Sequence, residues 1–289
     1  MAGLPVARVG SRLTSRRLVA LPFSDVCRPV ALPGQDGAVE ALAAFVSREH
    51  ERQGLDVEVR AELPGAPGGQ VVGGHVLHAV RLSADAEEVY ARFPKPQLRQ
   101  HIRKARKSGL VAERRVDREG LAAFYALHLR TRRRLGVPTQ PRSFILAFER
   151  LFAAGLGFVQ LVLLDGRPVG GAVFLVANGT LTYKYSALDV EHRRHRGGHL
   201  ILIEGIEWGC EHGCHTLDMG RTEEENEGLR AFKASWGAEE IPLGYTQFGS
   251  VRRVGEGSGR ASRMAAAVIR RSPPFVGRLV GAALYRYAG

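Results

Sequence analysis

The sequence has few cysteines and no long apolar run. Three cysteines, Cys27, Cys210 and Cys214, occur in 289 residues. An odd and small number in a chain of this length argues against a disulfide framework and favours a reducing cytoplasm. No apolar run reaches the roughly 18 residues that a membrane-spanning helix needs. We therefore expect a cytoplasmic protein that has neither a disulfide scaffold nor a membrane span.

Signatures of nucleophilic and zinc enzymes are also absent from the sequence. No Gly-x-Ser-x-Gly sequence marks a serine hydrolase, and no cysteine lies in the sequence setting of a cysteine protease. Cys210, His212, Cys214 and His215 are close in sequence, but their spacing does not match a paired Cys/His zinc site. We predict no metal site, and we expect Cys210 to pack beneath a sheet.

Positive charge is what the sequence has in excess. It contains 41 Lys and Arg against 29 Asp and Glu, a formal net charge of +12, and its pI is about 10.2. Such a balance favours anionic partners, namely phosphates, nucleic acid or an acidic membrane face. Arginine is spread throughout the chain, so an Arg-rich proteome is the alternative explanation. The 45% apolar and 24% charged residues are ordinary for a soluble globular protein.

Residues 1–108 are predicted to form a partial first lobe. Short apolar or alternating runs predict strands, and apolar residues on one face predict a helix over 37–52. Pro94 and Pro96 interrupt a second helical stretch, whose following piece carries basic residues on one face. That face suits contact with a nucleic-acid backbone, the alternative being a solvated helix that connects two lobes. The strands are 17–22, 55–61 and 74–82, and the basic residues are Arg99, Arg103 and Arg106.

Residues 109–250 are predicted to form a complete α/β lobe. A strand at 110–116 and two helices precede a three-strand meander, whose turns at Asp165-Gly166 and Asn178-Gly179 are strong hairpin signals. A basic glycine-containing loop, a helix, a strand, a second helix and a last strand follow the meander. The helices cover 118–134, 142–153, 199–212 and a segment containing 228–233, and the later strands cover 216–219 and part of 239–248.

Residues 251–289 are predicted to be a basic linker and tail. Residues 252–263 are rich in Gly, Ser and Arg, a composition that is typical of a linker. Residues 264–289 are rich in Ala, Val and Arg. This segment either docks on the core or lies on an acidic membrane face as a basic amphipathic segment.

The stretch 180–249 has the composition of a cleft for an anionic ligand. A basic loop, Glu191-His-Arg-Arg-His-Arg-Gly-Gly198, lies between a predicted strand and an apolar helix. Helix N-termini and the loops before them offer backbone N–H donors and partial positive charge to an anion. We therefore predict a phosphate-binding loop here, the alternative being a solvated charged turn. Its candidate residues are Arg194, Arg196, Gly197 and Gly198.

Landmarks along most of the chain resemble those of one protein family. They are Leu21-Pro-Phe-Ser-Asp25, Ile102-Arg-Lys-Ala105, Thr131-Arg-Arg-Arg-Leu-Gly136, Tyr183-Lys-Tyr-Ser186, Asp218-Met-Gly-Arg-Thr222, Asn226, and Phe232-Lys233 with Trp236-Gly237. Together they are similar to FemABX-like proteins of the GNAT acyltransferase superfamily. The resemblance implies a GNAT fold of the α/β (α+β) class, with a mixed, mostly antiparallel sheet flanked by helices. It also implies one complete C-terminal lobe and a first lobe of which about half is missing.

By this resemblance, the chain is expected to be an N-acyltransferase. Its donor would be acyl-CoA or aminoacyl-tRNA, neither of them a permanently bound cofactor. Its acceptor would be an amine of a cell-envelope precursor, either a peptidoglycan peptide or a polysaccharide aminosugar. With the reducing cytoplasm that the cysteines favour, we expect a cytoplasmic enzyme with no DNA partner, and contact of its basic tail with the acidic inner membrane face is one of the alternatives for that segment. The alternative is a degenerate, non-catalytic module that binds an anionic ligand or RNA.

The resemblance also implies roles for single residues. Lys233 is the expected catalytic lysine, which would stabilise a developing oxyanion or the departing oxygen, and a surface helix lysine is the alternative. Asp218 is expected to orient a neighbour rather than to act as a base. Tyr183 and Tyr185 are expected on one face of their strand, with Lys184 on the other. The remaining expected substrate-binding residues are Arg142, Arg221, Phe232 and, unless it only caps a helix, Asn226.

Overall fold

Strands from both halves of the chain contribute to one framework. The computed structural model describes residues 1–10, 16–94, 96–250 and 260–285. Most longer strands are rich in apolar and β-branched residues, whose side chains pack well on a pleated surface. Over the described residues the strands are β1 (Ala2–Gly3), β2 (Val6–Val9), β3 (Arg17–Ala20), β4 (Val30–Ala31), β5 (Asp56–Val59), β6 (Gln70–Arg81), β7 (Leu110–Arg115), β8 (Gly157–Leu164), β9 (Arg167–Ala177), β10 (Thr180–Leu188), β11 (Thr216–Glu223) and β12 (Glu239–Phe248).

Helices begin and end where the sequence offers caps and breakers. Asp117 caps the fourth helix by accepting a hydrogen bond from the Gly120 N–H at 2.8 Å, and Gly136 ends that helix in the left-handed conformation. Pro96 begins the third helix, where an N–H group would have no acceptor within the helix, so the missing N–H of proline breaks no hydrogen bond. The described helices are α1 (Asp36–Gln53), α2 (Ala86–Ala91), α3 (Pro96–Arg106), α4 (Arg118–Leu135), α5 (Arg142–Leu146), α6 (Phe148–Ala153), α7 (Gly197–Glu211), α8 (Glu227–Ala234), α9 (Arg260–Arg271) and α10 (Pro274–Tyr285).

Ten of the strands within the described ranges form a single mixed sheet. Their order is β2-β3-β5-β12-β6-β11-β10-β9-β8-β7. Most neighbours are antiparallel, while β3 with β5 and β10 with β11 are parallel. β6 of the first lobe lies between β11 and β12 of the second lobe. The sheet therefore continues across residue 108, where the boundary between the lobes was predicted. Its mixed, mostly antiparallel strand arrangement agrees with the prediction.

Helices cover both faces of this sheet. Alternate residues of β8 and β9 enter different hydrophobic clusters, as the two-residue period of a strand requires. Phe158, Val162 and Phe174 pack in one cluster with α7, whereas Val159 and Val173 pack in another with α4. A third cluster lies beneath α1, at the first-lobe end of the sheet. The central strands β9 and β10 are therefore enclosed between α4 and α7.

A few elements differ from the predictions. The helix predicted over 142–153 is two short helices, α5 and α6, which are divided at Ala147. Residues 260–263 were predicted as linker but begin α9, because the following alanines and arginines are strong helix formers. The rest of that linker, residues 251–259, lies outside the described residues. Cys210 is buried in the α7 cluster, as predicted.

The tail docks on the core, which was one of its two predicted alternatives. Both α9 and α10 pack against α4. Arg133 Nε donates a hydrogen bond to the Ser272 carbonyl oxygen at 2.6 Å. Gly136 permits the close approach, because a Cβ atom there would lie 2.9 Å from the Ala266 carbonyl oxygen. Among the helices of the described ranges, none combines the length and the apolar character needed to cross a bilayer.

Candidate active site

The sheet opens where β10 and β11 stop pairing. These parallel strands are paired only over residues 180–182 and 216–218. Beyond this point β10 continues beside β9, and β11 continues beside β6. The gap between residues 183–188 and 219–223, which we call the wedge, leaves backbone polar groups without a ladder partner, so a ligand can reach them. The wedge is the candidate active site.

Each strand changes register at the mouth of the wedge. In β10 the register shifts between Tyr183 and Tyr185, and in β11 it shifts between Asp218 and Arg221. A bulge bends a strand and redirects its side chains, and bulges are frequent beside active sites. As a result, Tyr183 packs in the α7 cluster and Tyr185 in the α4 cluster. The prediction that both tyrosines share one face is wrong, because it assumed a regular strand.

Gly220 lies at the centre of the site. Its N–H donates to Asp218 Oδ1 at 2.7 Å, and its carbonyl oxygen accepts from Lys233 Nζ at 2.8 Å. Its φ of +73° is left-handed, and a Cβ atom there would lie 3.1 Å from Asp25 Oδ2. Glycine adopts this conformation without the steric cost that other residues incur, and it leaves room for the carboxylate. Charged side chains from the loop at Asp25, from β11 itself and from α8 thereby surround one residue.

Lys233 is buried although its side chain can carry a charge. Its exposed fraction is 5%, and its Nζ also donates to the Arg221 carbonyl oxygen at 3.2 Å. Burial disfavours the ammonium form and lowers the pKa of Lys233 to about 8, against the opposing charges of Asp25 and Asp218. A lysine in this state can donate a proton near neutral pH and can stabilise a developing negative charge. It is not the surface lysine that the alternative interpretation expected.

Asp218 contacts the same glycine as Lys233. Burial, with a smaller contribution from Asp25, raises the pKa of Asp218, while the Gly220 N–H and the nearby Lys184 and Lys233 oppose that rise. A carboxylate whose pKa is raised is better suited to accept a proton than an ordinary surface carboxylate. Burial therefore moves the pKa values of Asp218 and Lys233 towards each other.

A strained loop of the first lobe reaches the wedge. Leu21 and Phe23 have φ values of 40° and 68°, which are uncommon for residues other than glycine. Lys184 Nζ donates to the Phe23 carbonyl oxygen at 2.9 Å, and Tyr245 Oη donates to the Asp25 carbonyl oxygen at 2.6 Å. Strain of this kind costs about 1–3 kcal/mol per residue and persists where the surroundings hold it, often at active sites. The first lobe thus supplies Phe23 and Asp25 to the site.

Aromatic rings extend from the wedge along its α4 side. Tyr185 packs on Phe148 with ring centroids 6.1 Å apart, and Phe148 packs on Phe144 at 5.7 Å. Phe144 in turn contacts Phe23 at 5.9 Å, and Phe23 stacks on Tyr285 of α10 at 5.3 Å. All of these rings except that of Phe148 are partly exposed. This series, which we call the aromatic wall, offers a flat apolar surface beside the charged residues of the wedge.

A second part of the site lies at the start of α7. A cleft of about 230 Å³, the α7 cleft, is lined by Arg193, Arg196, Gly197, Gly198 and Phe232 among others. Within the described residues, the N–H groups of the two glycines have no hydrogen-bond partner, as is usual in a first helical turn. Free N–H groups, the positive end of the helix dipole and the guanidinium groups of Arg134, Arg193 and Arg196 together favour an anion.

A larger groove continues from the α7 cleft towards α4 and α9. Its volume is about 430 Å³, and it shares Arg134, Leu188 and Asp189 with the cleft. Arg133 and Arg270 donate to backbone carbonyl oxygens, which hold their guanidinium groups in place without neutralising them. Its acidic lining residues are Asp189 and Glu191, and its arginines are Arg130, Arg133, Arg134 and Arg270. This arginine groove is therefore positively charged.

Comparison with known proteins identifies the domain. Residues 95–234 match the acetyltransferase (GNAT) domain family. The solved structure of FemX superposes with a TM-score of 0.62 at 19% sequence identity, over 85% of this chain and 88% of that chain. Residues 95–234 therefore form a GNAT-type acetyltransferase domain, and the fold of the chain is similar to that of FemX. A comparison with curated protein sequences found no match.

Two further solved structures resemble this acyltransferase over most of its length. L-PGS from Bacillus licheniformis superposes with a TM-score of 0.57 at 14% identity, over 94% of this chain and 86% of that chain. The C-terminal domain of an Agrobacterium fabrum protein assigned as a lysylphosphatidylglycerol synthetase gives 0.57 at 15% identity, over 91% and 84%. At these identities the likeness concerns the fold. The predicted GNAT fold is therefore confirmed, and the match of residues 95–234 to the acetyltransferase (GNAT) domain family supports the predicted acyltransferase class.

The acyltransferase brings together only part of the predicted residue set. Lys233 and Arg221 lie in the wedge, where Arg221 Nε is 3.5 Å from Asp25 Oδ1. Phe232 lines the α7 cleft instead. Asn226 begins α8, and its side chain accepts a hydrogen bond from an N–H of that helix at 3.1 Å. Asn226 is thus a helix cap, which was its alternative role.

Two predicted arginines lie away from the lining of the cleft and the wedge. Arg194 is exposed, its Nε donates to His195 Nε2 at 3.1 Å, and Arg193 rather than Arg194 lines the α7 cleft. Arg142 is exposed at the first residue of α5, on the side of the aromatic wall. The basic loop lies directly before α7, as expected, and its short 3₁₀ turn Val190–His195 places Arg193 rather than Arg194 at the cleft.

Sequence reasoning missed three residues of the site. Asp25 and Gly220 each lie within a family landmark, but neither was singled out. Lys184 was placed on the opposite strand face from two tyrosines, without a role. The signal that was available is Gly220 itself, because a glycine inside a strand often marks a bulge or a close approach of another group.

Proposed function

We propose that this acyltransferase transfers an aminoacyl group from charged tRNA to an amine of a cell-envelope precursor. The observation that carries the proposal is the position of Lys233 and Asp218, which both form hydrogen bonds with Gly220 at the mouth of the wedge. The α7 cleft and the arginine groove supply a binding surface for the phosphates of the donor. The wedge receives the reacting ends of donor and acceptor.

The two titratable groups suit the proton transfers that this reaction requires. The acceptor nitrogen attacks the carbonyl carbon of the donor ester, so a C–N bond forms and the C–O bond to the ribose breaks. Asp218 accepts the proton that the nitrogen loses, and the Lys233 ammonium gives a proton to the departing ribose oxygen. Before that bond breaks, Lys233 stabilises the negative charge on the carbonyl oxygen. Each proton lost or gained has a named partner, and no covalent enzyme intermediate is required.

The arginine groove favours RNA over acyl-CoA as the donor. A CoA molecule carries its phosphates around one nucleotide, and the α7 cleft by itself can hold such a group. An RNA stem instead presents a phosphate at every nucleotide, and proteins bind it through rows of arginines and lysines. Arg130, Arg133 and Arg270 extend the positive surface beyond the cleft. The second candidate donor is acyl-CoA, which the free N–H groups of Gly197 and Gly198 favour.

The wedge favours an amine as the acceptor. An attacking amine has to lose a proton, and Asp218, whose pKa is raised by burial, can accept it. The surrounding cations Lys184, Arg221 and Lys233 disfavour the ammonium form of a bound amine, which cannot attack. The aromatic wall offers a surface for a peptide or a sugar ring. A peptidoglycan stem peptide and a polysaccharide aminosugar both fit, and the relative named for lysylphosphatidylglycerol supports an envelope role.

A transfer assay with two donors tests this proposal. The purified enzyme receives either tRNA charged with a radiolabelled amino acid or radiolabelled acetyl-CoA, with a lysine-containing stem peptide or glucosamine as acceptor. We expect transfer from charged tRNA, together with tighter binding of charged than of uncharged tRNA. Transfer from acetyl-CoA alone would exclude aminoacyl-tRNA as the donor but would still support acyltransferase activity. Absence of transfer from both donors to both acceptors would contradict the whole proposal.

Replacing Lys233 separates the chemistry from binding. We expect Lys233→Ala to lower kcat about 100- to 1,000-fold, as the loss of an oxyanion-stabilising group does elsewhere. Donor affinity and the unfolding temperature should stay close to the wild-type values. The matched control is Lys107→Ala, since Lys107 is exposed just after α3. A folded Lys233→Ala enzyme with wild-type turnover would remove Lys233 from the mechanism.

A further inference from the structure

The C-terminal helices carry a surface that the proposed reaction does not use. From residue 257 to residue 289 the chain contains arginines but no Asp or Glu. Met264, Val268 and Leu279 are exposed there, with exposed fractions of 70%, 59% and 60%. Single exposed apolar residues are common, but a group of them on two neighbouring helices, α9 and α10, is more typical of an interaction site.

The way in which α9 and α10 are held determines which side chains point outward. Ile269 is buried against the core, with 4% of its surface exposed. Met264 and Val268 are four residues apart, so they share a helix face, and that face is directed away from the core. In α10, Gly281 packs against the backbone of Thr139, so Leu279 is directed outward.

Positive charge surrounds these apolar side chains. Arg271 at the end of α9 and Arg278 in α10 are exposed, and neither forms an ion pair with a residue of the described ranges. Long arginine side chains can lay their apolar stems along a hydrophobic surface while the guanidinium group stays in a polar layer. Apolar residues flanked by such arginines match the composition of the boundary between lipid headgroups and acyl chains.

We propose that this surface docks the enzyme on an anionic lipid bilayer. We call it the tail face and define it as Met264, Val268, Arg271, Arg278 and Leu279. Helices of this composition lie in the plane of the interface, and they bind through buried apolar area and attraction to anionic lipids. The inference rests on the proposed function in one respect. The proposed acceptor is an envelope precursor, and the inference adds that this precursor is held at the membrane.

The tail also connects this surface to the wedge. Tyr285, the last residue of α10, stacks on Phe23 with ring centroids 5.3 Å apart. Arg132 Nη2 donates to Tyr285 Oη at 3.2 Å. The helix that carries part of the tail face therefore ends in the aromatic wall on the α4 side of the wedge. Docking of the tail face would bring that wall close to the bilayer, from which a membrane-anchored acceptor could enter.

Two other occupants suit this surface less well. A second copy of the chain would bring its own net charge of +12 and another set of unpaired arginines, so the copies would repel each other. An RNA backbone would be attracted by Arg271 and Arg278, but it gains nothing from exposed Met264, Val268 and Leu279. A bilayer that contains anionic lipid satisfies both the apolar and the charged members of the tail face.

Co-sedimentation with lipid vesicles tests this inference on the full chain. We expect binding to phosphatidylcholine vesicles that contain phosphatidylglycerol, little binding to phosphatidylcholine alone, and weaker binding as salt rises. The variant Met264→Ser/Val268→Ser/Leu279→Ser should lower the partition coefficient about tenfold or more. Arg271→Glu/Arg278→Glu should lower it about tenfold or more as well, because each basic residue near an anionic surface contributes to the attraction.

Matched variants outside the tail serve as controls. Val71 and Val111 are also exposed, at 56% and 63%, and Val71→Ser/Val111→Ser should leave vesicle binding unchanged. Arg150→Glu/Arg167→Glu changes the net charge by the same amount as the tail variant and should have a much smaller effect. Circular dichroism and unfolding temperatures establish that each variant is folded, so a loss of binding reports on the surface.

Three results would overturn the inference. They are equal binding to both vesicle compositions, unchanged binding by both tail variants, and a wild-type dimer in sedimentation velocity that the triple serine variant abolishes. The last result would assign the surface to a second copy of the chain. Because the assay measures lipid binding only, its failure leaves the transfer assay untouched, and failure of the transfer assay leaves the lipid result standing.

Discussion

The two halves of the site handle charge by different means. The donor half, made of the α7 cleft and the arginine groove, presents largely accessible arginines and free backbone N–H groups. The acceptor half uses a small number of charged side chains held by direct contacts around Gly220. Asp25, Asp218 and Lys233 approach this glycine from three separate segments, and Lys184 is held by the loop that carries Asp25.

This difference predicts different sensitivities to mutation. An exposed charge interaction contributes little on its own, about 0–1 kcal/mol, and salt screens it, so donor affinity should be spread over many residues. A buried group that acts on the reacting atoms can change a rate by orders of magnitude. We therefore expect changes in the donor half to alter affinity gradually, and changes in the acceptor half to alter turnover steeply.

The largest effect beyond that of Lys233 is expected at Asp218. Asp218→Asn removes the proposed proton acceptor, and we expect kcat to fall about 100-fold. The wild-type rate should fall as pH drops below the raised pKa of Asp218, because the protonated carboxyl cannot accept a proton. It should also fall as pH rises past about 8, because Lys233 then loses its proton. A pH profile of kcat/KM for both enzymes measures these two limbs.

The shape of the profile distinguishes a base from a merely structural residue. In Asp218→Asn the acidic limb should disappear or move, whereas the alkaline limb near pH 8 should remain. Asp165→Asn, in the exposed turn between β8 and β9, is the control and should leave both limbs in place. An Asp218→Asn profile that keeps the wild-type acidic limb would show that Asp218 is a positioning residue, as expected from the sequence, and not the base.

A smaller and different effect is expected in the donor half. Arg193→Ala and Arg196→Ala should each raise the KM for the donor by about tenfold or less, with kcat within about twofold of wild type. If the donor is RNA, each lost phosphate contact should also lower the slope of log affinity against log salt by about one. Titrations of charged tRNA at several salt concentrations measure both quantities.

Arg194→Ala is a sharp control for this experiment, because Arg194 is adjacent in sequence but does not line the α7 cleft. Its KM should match that of wild type. A larger effect at Arg194 than at Arg193 would mean that the sequence motif, rather than the observed geometry, identifies the binding arginine. A fall in kcat without a change in KM at Arg193 or Arg196 would contradict the division of the site into two halves.

The same division explains how much could be predicted from the sequence. The loop at the start of the α7 cleft consists of residues that are neighbours along the chain, so a strand, a basic glycine loop and an apolar helix were sufficient to predict where this loop lies. Most helices and strands were predicted for the same reason, because caps such as Asp117 and the turns at Asp165-Gly166 and Asn178-Gly179 act locally. The choice between Arg193 and Arg194 required the structure, as did the arginine groove, whose arginines come from α4 and α9.

The acceptor half could not be predicted in this way. Asp25 reaches Gly220 from the other end of the chain, and no periodicity links the two residues. The bulge at Lys184 has no glycine or proline to signal it, so Tyr183 and Tyr185 were assigned to one face of a regular strand. Burial of Lys233 likewise depends on how α8 packs against β11. Such contacts arise from the tertiary fold, which the local sequence pattern determines only weakly.

The smallest effect on catalysis is expected at Asn226, which tests the boundary of the acceptor half. Its side chain caps α8, the helix that carries Lys233. Asn226→Ala should therefore lower the free energy of unfolding by about 1 kcal/mol, while kcat/KM stays within about twofold of wild type. Asn226→Ser should restore most of the stability, because serine caps helices comparably well. Urea unfolding and steady-state kinetics of both variants measure this, and a large loss of kcat in a fully stable Asn226→Ser enzyme would return Asn226 to the substrate-binding residues.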